Sequence, residues 1–227
     1  MSEKICVEFL GIARAGKSTT AKALREDLSN NNIQYIDFSE FQKTKKIRKY
    51  FLIIIGTLKN IKTNDFKFIY LYILFLYKIY RNKNQLDKKR FSHPIKYYFI
   101  KKYLLDTEKI VIIEDGATHI LAGFSFVDIK LQKIMLDNTI TLLVIHNINI
   151  EDAVSRAVSF EKLKPWKFNN KEDFIKMYNK CLSNQNELLS EIYANKPNNM
   201  FILNIEALDN VSKKVYQIKE FILNKVR

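Results

Sequence analysis

Two glycines, an amine and a hydroxyl stand at fixed spacing near the start of the chain, in Gly11-Ile12-Ala13-Arg14-Ala15-Gly16-Lys17-Ser18. This is the G-x-x-x-x-G-K-[ST] pattern, and its chemistry is the capture of phosphate. Glycines let backbone N–H groups close around an anion, the lysine carries positive charge to the outer oxygens, and the hydroxyl ligates a divalent cation. Gly11, Ala13, Arg14, Ala15, Gly16, Lys17, Ser18 and Thr19 therefore read as the binding loop for a nucleoside triphosphate, with Lys17 on the β- and γ-phosphates and Ser18 on Mg²⁺.

Such a loop works only between a strand and a helix, and both are legible. Lys4 to Leu10 reads as a strand ending at the first glycine, and Thr19 to Leu28 is rich in good helix formers. A second strand is expected over Ile33 to Phe38, after the turn-like Ser29-Asn30-Asn31-Asn32. Ile110 to Glu114, Thr139 to His146 and Asn199 to Ile205 are short apolar runs of the kind that a buried parallel strand needs. Helical patterns lie between them, notably Lys171 to Ala194 and Val211 to Val226. Alternating strands and helices predict one α/β domain over residues 1–227, a doubly wound five-stranded parallel sheet with ligands at the carboxyl ends of its strands.

The loop and its flanks resemble the thymidylate and deoxynucleoside kinase group, through Phe9-Leu10-Gly11 and Ala15-Gly16-Lys17-Ser18-Thr19-Thr20. Arg14 matches an arginine that one branch of thymidylate kinases carries within the loop, where it neutralises phosphate charge. Leu10 replaces the group's usual Glu, and Ala13 replaces an Asp that helps position the acceptor phosphate. The resemblance thus implies ATP use more firmly than it implies thymidylate as acceptor. It also implies a role for Glu114, where related kinases have an acid acting on Mg²⁺ or as a base. Asp115 follows where their arginine stands, as a second Mg²⁺ ligand or an alternative acid. Adjacent acids at a strand end point to opposite sides, so one of the two is expected to face the metal, and Glu114 is the first choice. Arg156, within Ile150 to Phe160, is similar to the arginine of a phosphate-closing lid over about 151–170; Phe160 stands where a second arginine is common. Glu40 falls near an acceptor-site glutamate of the group but lacks the proline that follows it there, and Trp166 is a candidate to fold over a base. His93, His119 and His146 show no ligand spacing and read as structural.

Charge is concentrated in one place. Between Lys43 and Lys102 there are seventeen Lys or Arg against two acids, Asp65 and Asp87, a balance of +15 in a chain whose total is +14. This basic segment lies within an expected helical insertion over about 43–105, where related kinases hold the phosphoryl acceptor. It is also aromatic: Phe68 to Tyr77 is an unbroken apolar run, well short of the ~20 residues that span a bilayer. Three readings stand open: a helix packed between acceptor lobe and core, a contact with an anionic membrane surface through 43–102, and nucleic-acid contact, the least supported of the three. The same choice applies to Tyr50-Phe51-Leu52-Ile53-Ile54-Ile55. Cys6 and Cys181 are far apart in the sequence and read as reduced thiols. No basic, apolar leader opens the sequence, so a cytosolic chain is expected, free or at a membrane periphery. A homodimer is a further expectation from the resemblance, because related kinases often pair through helices near the acceptor lobe.

The leading functional expectation is Mg·ATP-dependent phosphoryl transfer to a small acceptor, a nucleoside monophosphate such as thymidylate first. In it Lys17, Arg14, Glu114 and Arg156 carry the chemistry, and Ser18, Glu114 and Asp115 meet the metal. The alternatives are a sugar or lipid-linked acceptor at a membrane surface, and a nucleotide-gated binding protein without rapid turnover. The absence of a guanine-reading N-K-x-D motif lowers the GTP form of the last.

Overall fold

The computed structural model describes residues 4–11, 15–38, 63–82, 85–107, 110–124, 126–136, 140–158, 171–195, 199–206 and 209–226. Expectations for Ala13, Arg14, Glu40, the run from Tyr50 to Ile55, Phe160 and Trp166 fall outside these residues. Along the chain the elements are β1 (Ile5–Leu10), α1 (Lys17–Asn30), β2 (Ile36–Asp37), α2 (Thr63–Arg81), α3 (Gln85–Arg90), α4 (Ser92–Thr107) and β3 (Ile110–Ile113). There follow α5 (Ala117–Ala122), α6 (Ile129–Leu136), β4 (Ile140–Asn147), α7 (Ile150–Val158), α8 (Lys171–Ala194), β5 (Met200–Glu206) and α9 (Val211–Val226).

All five strands are parallel, in the order β2-β3-β1-β4-β5. The expected α/β architecture is therefore present. β1 lies at the centre with every residue buried, and its side chains alternate between two cores. Ile5, Val7 and Phe9 pack with Ala21, Leu24 and Leu28 of α1 and Ile218 and Ile222 of α9. Cys6 and Leu10 face the other layer, with Phe68 and Phe75 of α2, Ile100 and Leu104 of α4 and Leu188 of α8. From β1 the chain goes to β2 and β3 on one side and then crosses to β4 and β5 on the other, so the carboxyl end of β1 lies at the switch point where such sheets hold ligand.

β2 is shorter than the sequence suggests. Only Ile36 and Asp37 pair with β3, at Val111 and Ile112. The Ile33 amide instead donates to the Leu28 carbonyl at 2.9 Å, after Asn32 turns the chain in a left-handed conformation (φ 55°). Closing the end of α1 thus uses the donor that a longer strand would have needed.

Helix α2 is apolar all round but packs along one face only. Phe68, Tyr72, Phe75 and Ile79 are buried, each large side chain contributing about 1.5–3 kcal/mol by removal from water. Phe68 stacks on Tyr98 of α4 with centroids 3.8 Å apart. Asp65 (buried) accepts from Tyr98 Oη at 3.0 Å and from Lys102 Nζ at 2.5 Å, which locks α2 to α4. On the opposite face Phe66, Tyr70, Ile73, Tyr77 and Tyr80 are all more than half exposed. The helix is therefore buried over about half of its circumference and exposed over the rest. No helix among the described residues is long and apolar enough to cross a membrane.

Candidate phosphate-binding and catalytic site

Gly11 and Gly16 bracket the loop between β1 and α1 in left-handed backbone, with φ +147° and +92°. Gly11 passes so close to β4 that a side chain there would meet the His146 carbonyl at 2.9 Å. A Cβ at Gly16 would meet nothing among the described residues within 4 Å, so among these residues space lies open beside the first turn of α1. Gly16, at the N-cap, has no side chain with which to cap that turn. Its first N–H groups have no acceptor within the helix, which is the condition for holding an anion at a helix N-terminus.

Lys17 is buried, and its Nζ donates to the Gly11 carbonyl at 2.5 Å. Burial pushes its ammonium down from the ordinary value, while Asp115 and then Glu114 oppose that shift. Ser18 and Thr19 follow on the exposed side of α1. Beneath the loop, His146 Nδ1 lies 3.2 Å from the Ala15 carbonyl, to which the Nδ1–H tautomer donates. His146 is buried at the end of β4, and burial together with the Lys214 charge pushes its pKa down to about 4.

The two acids after β3 diverge, as adjacent residues at a strand end must. Glu114 Oε1 accepts from Arg25 Nη2 at 2.8 Å, and the same guanidinium donates through Nη1 to Asp37 Oδ2 at 2.7 Å. One arginine of α1 thus forks across the ends of β2 and β3, a geometry that lysine could not supply. Asp115 turns the other way. Its Oδ1 lies 4.0 Å from Lys17 Nζ and 3.3 Å from His119 Nε2, with the side chain 62% exposed. His119 is pushed down to about 4, first by burial and then by the Lys17 charge, so the imidazole is neutral near pH 7.

A third acid sits directly beneath this turn. Glu8 is wholly buried in β1, opposite Ile113 in the β3 register. Its Oε1 accepts from Lys101 Nζ at 2.8 Å and from Tyr97 Oη, and its Oε2 accepts from the Ala117 amide at 3.0 Å.

Of the site residues expected from the sequence, Gly11, Ala15, Gly16, Lys17, Ser18, Thr19 and Asp115 come together. Glu114 adjoins them but is engaged by Arg25. Arg156 lies in the last turn of α7, close enough to Tyr178 and Lys214 to bias both. Sequence reading passed over Glu8, Arg25 and Asp37, and read as structural two histidines that adjoin the loop, His119 of α5 and His146 of β4. One signal was available for Glu8: an acid inside the apolar run Ile-Cys-Val-Glu-Phe-Leu of a central strand must find partners if it is buried. No signal marked Arg25, which looks like any helix arginine.

Among the described residues no three His, Cys, Asp or Glu side chains converge as a metal site. The donor set nevertheless fits Mg²⁺. Ser18 and Asp115 offer hard oxygens next to Lys17, one in sequence and one in space, and Mg²⁺ commonly takes one or two protein oxygens and completes its shell with water and substrate phosphates.

No family model matches the chain, and no curated protein sequence does. Among solved structures it is similar to a deoxyadenosine kinase from M. mycoides, determined with the products dCMP and a flexible dCDP bound. That likeness has a TM-score of 0.48 at 12% identity and covers 96% of this chain and 98% of the other. A similarity of this size assigns neither activity nor acceptor.

Proposed function

We propose that the chain is a phosphotransferase that moves the γ-phosphoryl group of Mg·ATP to a small acceptor, with a nucleoside monophosphate such as thymidylate as the first candidate. One observation carries the reading: a buried lysine amine 4.0 Å from an exposed carboxylate, beside an uncapped helix start with open space at Gly16. An amine alone would suit anion storage; an amine with a nearby acid suits transfer.

On this reading Lys17 exchanges its bond to the Gly11 carbonyl for the outer phosphate oxygens, and the N–H groups of the loop and of α1 hold the remainder. Mg²⁺, when bound, would neutralise and orient the phosphate oxygens, with Ser18 and Asp115 among its holders. Asp115 replaces Glu114 as the first choice for the working acid, since it faces Lys17 while Glu114 is bound to Arg25. Glu114 is then a charge held in place by Arg25, whose guanidinium also donates to Asp37. Arg156 and Arg14 stay candidates for closing over the phosphates. The outward apolar face of α2 favours one second reading, an acceptor presented at an anionic lipid surface, for which transfer would rise on adding anionic vesicles.

The test is transfer of labelled γ-phosphate from Mg·ATP to a panel of nucleosides and nucleoside monophosphates, with Lys17→Met, Asp115→Asn and Glu114→Gln alongside the natural chain. We expect transfer to at least one acceptor, a loss of about 100-fold or more in the first two variants, and a smaller loss in the third. ATP binding without transfer to any acceptor, or Lys17→Met acting like the natural chain, would overturn the reading.

A further inference from the structure

We infer that Glu8 is a positioning residue, a buried bracket that fixes the acidic turn 114–116 against helix α4 and so sets where Asp115 stands. The inference rests on the proposed transfer reaction for its kinetic consequence, and on geometry alone for its structural one.

Three observations carry it. The first is directional: the two oxygens of one carboxylate bind three elements at once, β1 through its own backbone, α4 through Tyr97 and Lys101, and α5 through the Ala117 amide. Lys101 continues the chain of contacts to the Met135 carbonyl at the end of α6, 3.3 Å away. The second is steric. Gly116 rests on this carboxylate so closely that a Cβ there would overlap Oε2 and lie 2.9 Å from both Cβ and Cδ of Glu8. Asp115 is the residue before that glycine, so its backbone is clamped one position from the bracket. The third is energetic. An ion pair out of contact with water is a poor stabiliser, because desolvation offsets most of the attraction, and a packed apolar group commonly does as well. The same face of β1 is otherwise apolar, with Cys6 and Leu10 on either side of Glu8. A charge in that setting has a directional use that an apolar side chain lacks. Helix α4 belongs to the segment expected to hold the acceptor, so the Glu8 carboxylate ties its position to that of the acid beside Lys17.

The experiment separates placement from stability. Glu8→Gln keeps the shape but sets an amide NH₂ against the Ala117 N–H or the Lys101 ammonium, so one link breaks. A triple variant, Glu8→Met with Tyr97→Phe and Lys101→Met, replaces the charged group by apolar atoms of similar size. Each is measured for urea midpoint, Mg·ATP affinity, kcat and KM, and amide hydrogen exchange at residues 115–118. We expect the triple variant to approach the natural urea midpoint, yet both variants to exchange faster at 115–118. We also expect kcat to fall about 10- to 100-fold in both, with ATP affinity changed less than about 3-fold. Natural exchange at 115–118 in Glu8→Gln, or a triple variant that recovers kcat together with its midpoint, would overturn the inference. If the natural chain transfers no phosphate at all, the functional proposal fails, and the exchange measurement still decides this one. If the triple variant does not fold, Glu8→Gln decides it alone.

Discussion

Acidification should loosen this protein through His146, a side chain that solvent scarcely reaches. The imidazole is 2% exposed, sits 5.9 Å from the Phe9 ring, and uses Nδ1 on the Ala15 carbonyl, while Nε2 has no hydrogen-bond partner among the described residues. Protonation would place an N⁺–H in that unpartnered position, near the Lys214 charge. Its pKa is accordingly pushed down to about 4, from an ordinary value of about 6.5. The sign follows: below pH 6.5 the unfolded chain takes up a proton that the folded chain refuses until about pH 4. The stabilisation is therefore complete above pH 6.5 and is lost progressively as pH falls through that window. Between pH 7.5 and 5 the expected loss from this one group is about 2 kcal/mol, and at most about 3 kcal/mol at pH 4. With a urea m-value near 2 kcal/mol/M, the midpoint should move by about 1 M. The assay is urea denaturation at several pH values for the natural chain and for His146→Phe, which keeps a ring against Phe9 but cannot titrate. Contributions from His119 and the carboxylates are common to both and cancel. The variant should start less stable by about 1 kcal/mol, for the lost bond to Ala15, and show a flatter pH dependence. Parallel pH profiles for the two proteins would refute the reasoning.

Gly116→Ala should cost about 2–3 kcal/mol in urea stability although its backbone (φ −75°, ψ −175°) suits any residue, because the new methyl meets the fixed Glu8 carboxylate. A double-mutant cycle with Glu8→Ala should give a coupling above about 1 kcal/mol. Arg25→Met should cost about 3 kcal/mol in the same assay, since the Asp37 and Glu114 carboxylates then face one another without their shared cation. On α2, Phe75→Ala should lose about 3–5 kcal/mol as a fully buried ring, whereas Tyr77→Ser, on the exposed face, should stay within about 0.5 kcal/mol of the natural chain by thermal or urea unfolding.

Local pattern made the loop and most of the sheet legible. Glycine at positions 11 and 16 is required by positive φ, and the strands of the buried centre are apolar because helices cover both faces. Helices Lys171–Ala194 and Val211–Val226 were readable to their ends. The half-exposed α2 was not, because a helix that is apolar all round has no periodicity to say which side is outward. Strand alternation announced that Glu114 and Asp115 would diverge, but which one faces Lys17 depends on Arg25 reaching over from α1. Pairings of that kind join residues far apart in sequence and leave no mark in spacing. Glu8 lies between these cases: its burial could be argued from the strand around it, its partners Tyr97, Lys101 and Ala117 could not.

The strand order also governs how the chain is made. β1 is synthesised first, yet its two neighbours in the sheet, β3 and β4, begin at Ile110 and Ile140. At ribosomal speeds of about 5–20 residues per second, that leaves an unpaired strand of six apolar-environment residues waiting for roughly 5–30 s. During that interval α1 can form locally, but the sheet that gives it a surface does not exist. The finished site is consequently the product of late, long-range pairing. A nascent chain stalled before β4 would present β1 as an open edge, to a chaperone or to another copy of itself.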